Sequence, residues 1–344
     1  MHHSVLRLAI VLLATGALGS TLASAAAPMA THPTTTAALA ASLIPVQALD
    51  RRSERFLVPR PTPSPTPAPP ASAKPVQPAA TRATVGPRPI PPPVIDAVEV
   101  ALINLDTGRF LWQSNARAAW APASLTKIFT AMVAADLMGM NTVVTVPASI
   151  AQLPSDSTVM GLTPGERLTV RELLYGVFLN SGNDAAETLA SAVTSRTTFI
   201  ADMNAKAARL GLRGTHFMNP TGLDAAGHYS SADDMALAAT YLESHYGALV
   251  AIAATSAITI PATDTHKTFT LINLDKLMHT YPGVYGLKTG WTEVALGCLI
   301  TTSSRGGHRL LTVMLGAPNG TAYAEMPKVL DYGFELLGVL PRPS

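Results

Sequence analysis

The chain has one cysteine, Cys298, among its 344 residues, so it can form no internal disulfide. A domain of this size buries enough surface to fold without one. Cys298 falls in an apolar, strand-like stretch, where a buried inert thiol is expected, not a nucleophile. Charge is sparse as well. Asp, Glu, Lys and Arg make up 13% of the residues and the net charge is +2, too small a basic excess to point to nucleic acid. Metal-ligand patterns are missing. The nine histidines include no H-E-x-x-H, and His216, His228, His245, His266, His279 and His308 sit beside no acids at ligand spacing. They are expected at the surface or the rim of the core, and neither metal nor cofactor is expected. Beyond the N-terminus no apolar run approaches the roughly 20 residues that cross a bilayer.

What is present begins with Arg7, an apolar run from Leu8 to about Leu22, and the small residues Ala23-Ser24-Ala25. That order is the layout of a secretory signal peptide, with an uncleaved membrane anchor as the rival reading; on either reading the remainder is exported. Residues 26–95 then read as a linker. Half of the prolines, 14 of 28, fall between Pro59 and Pro93. Proline alternating with small polar residues favours extended polyproline II, and at about 3.1 Å per residue 35 such residues reach roughly 110 Å. Arg60, Lys74, Arg82 and Arg88 lie in this stretch, and residues 55–95 contain no acid. A solvated spacer explains this; so does a cationic arm attracted to anionic envelope polymers.

Residues 96–340 carry the folded domain. Val98–Ile103 and Arg109–Gln113 read as a hairpin around Asp106-Thr107-Gly108. Pro122 opens a helix that runs to about Met138. Thr169 followed by Glu172 is a capping box for a helix running into Asn180. Further helices are expected over 184–192, 199–210 and 232–242, with Gly211 and Gly247 as stops. Short β-rich runs follow at 257–260, 268–271, 284–288, 296–302 and 310–315, and a last helix over 322–337. Strands at both ends with helices between predict an α+β domain, with one antiparallel sheet assembled from the two ends of the domain.

Three short strings carry chemistry. In Ser124-Leu125-Thr126-Lys127 the amine sits one helical turn from the hydroxyl. A serine needs an adjacent base to be a useful nucleophile, and a lysine serves only if burial or a second cation lowers its pKa; Lys288 is the candidate cation. At a helix start the Ser124 N–H is unpaired and available as an oxyanion donor. In Ser181-Gly182-Asn183, Gly182 allows a tight connection, with φ > 0 if needed. Ser181 could relay a proton, and the Asn183 amide could bond both Lys127 and a substrate carbonyl. In Lys288-Thr289-Gly290, at the end of a β-run, Lys288 and Thr289 could hold a carboxylate. Gly290 would leave room for a substrate along the strand, with the Trp291 N–H as a second oxyanion donor. Each string alone also fits an ordinary helix turn, a capping Asn or a surface turn.

Together the strings resemble the serine D-alanyl-D-alanine carboxypeptidases among the low-molecular-weight penicillin-binding proteins, over roughly residues 97–338. Pro122–Lys127, Leu173–Gly176 leading to Ser181–Ala185, Asn219–Asp224 with Tyr229–Ala236, and Gly283–Gly290 all match family segments. The resemblance implies the penicillin-recognising serine hydrolase fold: a five-stranded antiparallel sheet flanked by helices, with a helical subdomain. It implies Ser124 as acylated nucleophile, Lys127 as base, and Ser181 and Asn183 in relay and positioning. It also implies Lys288, Thr289, Gly290, Trp291 and Thr292 around the substrate. Peptidoglycan stem peptides are the implied substrates and β-lactams the implied covalent inhibitors. A DD-endopeptidase, a β-lactamase or an idle wall-binding module remain alternatives; for the β-lactamase, Glu166 precedes the second string and no E-x-x-L-N segment follows it. Trp291 stands where many members have a histidine or another residue. Many members also continue into a β-rich domain and a C-terminal anchor, neither of which is seen here, so any tether is expected at the N-terminal side.

Overall fold

The computed structural model describes residues 89–339. The signal-like segment and most of the proline-rich stretch lie outside these residues. In chain order the elements are β1 (Glu99–Asn104), β2 (Arg109–Ser114), a 3-10 turn (Ala123–Thr126), α1 (Lys127–Leu137) and β3 (Val143–Thr145). Then come a second 3-10 turn (Ala148–Gln152), β4 (Arg167–Thr169), α2 (Val170–Phe178), α3 (Asn183–Ser191), α4 (Arg196–Arg209), α5 (Ala232–His245) and α6 (Gly247–Ala253). The last third holds β5 (Ala257–Ile260), β6 (Phe269–Ile272), α7 (Leu277–Thr280), β7 (Val284–Thr292), β8 (Leu296–Arg305), β9 (His308–Ala317) and α8 (Ala322–Leu336).

The main sheet is five-stranded and antiparallel in the order β2-β1-β9-β8-β7, so its strands come from the two ends of the domain. The fold is the α+β arrangement expected from the sequence. Successive side chains of a strand point to opposite faces, and here both faces are covered. Ala101, Ile103, Ile300, Leu311 and Val313 join the core made with α1 to α6. Val100, Leu102, Leu299, Leu310 and Met314 pack under α8 with Met326, Val329, Leu330 and Phe334. This two-sided burial explains why β1 reads as a continuous apolar run and not as an alternating one. The β1–β2 turn follows from local chemistry: Asn104 Oδ1 accepts the Asp106 N–H at 2.8 Å, and Gly108 supplies φ +67°.

α1 runs through the middle of the helical layer. Its first eight residues, Lys127 to Ala134, are all buried, which requires small or apolar residues on every face. The capping box of α2 forms as predicted, with Thr169 accepting from the Glu172 N–H and Glu172 accepting from the Thr169 N–H. Three expectations change. Gly247 does not stop a helix but opens α6, after α5 has continued to His245. β7 continues to Thr292, so Lys288-Thr289-Gly290 lies inside the strand and not at its end. The helix expected from Pro122 begins instead as the 3-10 turn.

A buried carboxylate organises the wall nearest α3. Asp184 accepts from the N–H groups of Met160 and Gly161 at 2.9 Å, of Leu162 at 2.8 Å, and of Ala185 at 2.9 Å. Beside it, the Asn183 N–H donates to the Thr158 carbonyl at 2.8 Å. Replacing Asp184 by Ala strands several buried amide donors at once. The Asp184→Ala protein is expected to lose about 3 kcal/mol or more of stability, measured as a lower midpoint of urea unfolding.

Candidate active site

The 3-10 turn carrying Ser124 lies against β7. A Cβ on Gly290 would stand 2.9 Å from the Ser124 nitrogen and 3.1 Å from the Ala123 Cβ. Only a glycine lets the strand pass so near, so Gly290 sets the approach of β7 to the Ser124 backbone more directly than it clears a path for substrate. Gly222, at φ +85°, meets the same turn from another side: a Cβ there would strike the Ala123 carbonyl. Ala123 itself has φ +47°. Ser124 is thus presented on a tightly held turn between two glycine contacts.

Lys127 is fully buried. Its Nζ lies 2.8 Å from Ser124 Oγ, 2.7 Å from Asn183 Oδ1 and 2.6 Å from the Thr221 carbonyl oxygen. Burial, reinforced by the Lys288 cation, holds its pKa well below the ordinary lysine value, against smaller opposing effects of Asp184 and Glu187. The contacts fit a neutral amine. With the amine neutral, its two N–H groups can serve the two oxygens that only accept, which leaves the lone pair for the serine hydroxyl. Asn183 is the first residue of α3, whose N-cap is Gly182, so its amide does not cap the helix but reaches Lys127.

The second string departs from expectation in its backbone. Gly182 has φ −60°, whereas Ser181 takes the left-handed conformation at φ +54°. Gly182 is needed for space, since a Cβ would stand 2.8 Å from Asp184 Oδ1 and 3.0 Å from the Met160 nitrogen. Lys288, also buried, donates from Nζ to Ser181 Oγ at 2.9 Å and to the Thr289 carbonyl at 2.7 Å. Burial lowers its pKa to about 7, partly opposed by the buried Asp275.

Two cavities of about 270 and 290 Å³ flank Ser124, sharing Ser124, Thr158 and Trp291 as lining. Ser181, Thr289 and Gly290 face the first. Asn183 and Thr292 face the second, with Asp156, Asp224 and Glu293. Trp291 is 64% exposed and stands between the two. Thr292 is already engaged, its hydroxyl donating to Asp224 Oδ1 at 2.8 Å and accepting from the Ala295 N–H at 2.9 Å. Among the described residues no group of His, Cys, Asp or Glu could hold a metal ion.

A model of the D-alanyl-D-alanine carboxypeptidase family matches residues 87–319. The chain belongs to the D-alanyl-D-alanine carboxypeptidase family. It is 37% identical to the D-alanyl-D-alanine carboxypeptidase DacF of Bacillus subtilis over 70% of this chain and 62% of that one. To DacB2 of Mycobacterium tuberculosis it is 34% identical over 68% of this chain and 80% of that one. It therefore spans less than two thirds of the Bacillus relative. Among solved structures, the DD-transpeptidase of Streptomyces K15 superposes with TM-score 0.67 at 29% identity, covering 72% of this chain and 100% of that one. A D-alanyl-D-alanine carboxypeptidase from Mycobacterium tuberculosis superposes with TM-score 0.66 at 32% identity, covering 72% and 94%. The penicillin-recognising fold expected from the sequence is the one this family member adopts.

Some residues around this site escaped the sequence reading. The Thr221 carbonyl had no assigned part, although Asn219–Asp224 is a family segment. Asn219 Oδ1 shapes that loop by accepting from Thr221 N–H, Thr221 Oγ1 and Gly222 N–H at 3.1, 2.9 and 2.7 Å. His228 is buried, not at the rim. Its Nδ1 accepts the Met218 N–H at 3.1 Å, so Nε2 carries the proton and donates to Thr126 Oγ1 at 2.8 Å. Burial lowers its pKa to about 4, which keeps the ring neutral. Cys298 is buried as expected, and burial pushes its thiol up to about 12. Glu166 accepts the Thr163 N–H at 2.7 Å, pairs with Lys267, and lines neither cavity.

The buried Lys288 cation has a stability consequence. Between its folded pKa of about 7 and the unfolded value of about 10.4, the unfolded chain binds more protons at this site, so stability rises with pH through that window. Lys288→Met is expected to gain stability on the parent at pH 7 relative to high pH, because the variant lacks the protonation penalty that Lys288 carries there. That advantage should disappear by about pH 10.4, as read from urea melts at both pH values.

Proposed function

We propose that the chain is a serine D-alanyl-D-alanine carboxypeptidase that removes the terminal D-alanine of peptidoglycan stem peptides through an acyl-enzyme on Ser124. The observation that carries this reading is the buried Lys127 amine, whose Nζ stands 2.8 Å from Ser124 Oγ, 2.7 Å from Asn183 Oδ1 and 2.6 Å from the Thr221 carbonyl oxygen. Ser124 Oγ attacks the carbonyl carbon of the penultimate D-alanine while its proton passes to Lys127. The Ser124 and Trp291 N–H groups receive the developing oxyanion. The C–N bond then breaks and the departing amine takes the proton, relayed through Ser181. Water attacks the ester carbonyl and gives a proton to Lys127; the bond to Ser124 Oγ then breaks, Oγ takes that proton back, and the shortened peptide leaves. Lys288, Ser181 and Thr289 hold the terminal carboxylate, and the Asn183 amide positions the donor peptide.

Glu166, tied to Lys267 outside both cavities, gives no deacylating base of the β-lactamase kind. Export fits this chemistry, since stem peptides lie outside the membrane. It rests on the signal-like residues 1–25, with the basic linker as tether or wall contact. A D-Ala-D-Ala pentapeptide is expected to release D-alanine, and fluorescent penicillin to label Ser124 stably, both lost in Ser124→Ala. Fast penicillin turnover without peptide cleavage would instead indicate a β-lactamase, and the absence of both a binding module.

The two lysines set a pH profile. Protonated Lys127 cannot accept the serine proton, so kcat/KM rises with pH on the acid side. Neutral Lys288 cannot hold the carboxylate, so kcat/KM falls as pH passes about 7. Lys288→Arg, whose cation persists at all accessible pH, is expected to abolish the falling limb in a pH series of D-alanine release. A falling limb that survives in this variant would remove Lys288 as its source.

A further inference from the structure

The two cavities beside Ser124 differ in chemistry. The one on the Asn183 side carries Asp156, Asp224 and Glu293. The one on the Thr289 side has no charged side chain in its lining; its walls are Leu274, Trp291, Cys298, Leu299, Ala322 and Tyr323. On the reading above, the terminal carboxylate sits at Lys288, Thr289 and Ser181, and the latter two line this uncharged cavity. The leaving residue therefore occupies it. A terminal D-alanine would place one methyl group in about 270 Å³, a space close to the lower end of small-molecule pockets, about 300 Å³.

The outer wall is built rather than incidental. Leu274, 44% exposed, is fixed through both backbone groups: its N–H donates to the Leu179 carbonyl at 3.1 Å, and its carbonyl accepts the Tyr323 hydroxyl at 3.0 Å. That bond engages the polar end of Tyr323. The Lys276 ammonium stands 5.5 Å from the centroid of the same ring. With Trp291 also in its lining, the cavity is a slot with largely apolar walls beside Thr289.

We propose that this slot selects a leaving D-amino acid whose side chain is aliphatic and longer than methyl, attached to a free α-carboxylate. The inference rests on the carboxypeptidase reading and names the substrate class of the same site. The reaction is unchanged: the Ser124 ester forms, the C–N bond breaks, and the larger D-amino acid leaves as its amine. Such a residue has two sources. One is a stem peptide ending in a free aliphatic D-amino acid. The other is a cross-link, in which the leaving D-centre belongs to a diamino acid whose methylenes lie in the slot.

The test uses Ser124→Ala protein, which cannot be acylated, and calorimetry with peptides ending D-Ala-D-Ala, D-Ala-D-norleucine and D-Ala-D-Asp. The norleucine peptide, longer by three methylenes, is expected to bind at least roughly tenfold tighter than the alanine peptide, the low end of what one added methylene gives in an apolar pocket, and the Asp peptide to bind more weakly than either. Leu274→Ser in the same background should bring the norleucine-to-alanine ratio towards one. In the active enzyme, norleucine release should exceed alanine release in kcat/KM. A purified cross-linked dimer is the second arm: its cleavage identifies the cross-link as the source, and norleucine release without dimer cleavage identifies the free terminal residue. Norleucine binding no tighter than alanine, with Ser124 labelled by penicillin and D-alanine released, overturns the slot alone. No label and no release from any peptide overturns the carboxypeptidase reading and the slot with it.

Discussion

The structure turns on an amine that is kept dry. Lys127 sits in the first turn of a helix whose first eight residues are all buried, surrounded by two carbonyl-type oxygens and one hydroxyl. Water would solvate an ammonium there; the protein offers burial and a second cation instead, and both hold the pKa of the amine down. Much of the surrounding fold serves that placement. The Asn219 side chain ties the loop that supplies the Thr221 carbonyl. α3 begins at Asn183, so its first side chain falls beside the amine. Asp184 locks the neighbouring loop by collecting four amides.

Around this centre the cleft is divided by charge. Carboxylates cluster on the Asn183 side, uncharged apolar walls on the Thr289 side, and an exposed tryptophan stands where they meet. One substrate lying across Ser124 would therefore meet two solvents, a polar one for the part retained and an apolar one for the part expelled. The position of Ser124 itself depends on close backbone contact. Gly290 and Gly222 bring strand and loop up to the turn that holds Ser124, and neither tolerates a side chain.

Much of this was legible in the residues because the chemistry is local. Ser124 and Lys127 are one turn apart, so their contact follows from helical spacing. The two-ended sheet followed from strand-like runs at both ends of the domain, and the cap of α2 from Thr169 and Glu172. The rest depends on long-range packing. That Gly182 makes room for Asp184 while Ser181 takes the left-handed backbone is decided by a loop some twenty residues away in sequence. The Thr221 carbonyl is a backbone atom, and no residue type announces it. β7 runs through Lys288-Thr289-Gly290 because it pairs with β8 as far as Thr292, which glycine and tryptophan do not signal. His228 read as a rim residue because one polar ring in isolation gives no hint of its two buried partners.

One modest contact carries a mechanical meaning. Just before β1, the N–H groups of Asp96 and Ala97 donate to the Glu325 carboxylate on α8, at 2.9 and 3.2 Å. Any tension arriving along the chain from its N-terminal side is thus received by β1 and α8. β1 and β7 are three strand spacings apart in the sheet, roughly 14 Å. A pull on Asp96 would thus strain one shoulder of the sheet, while Lys288 and Thr289 on β7 stay at a distance from it.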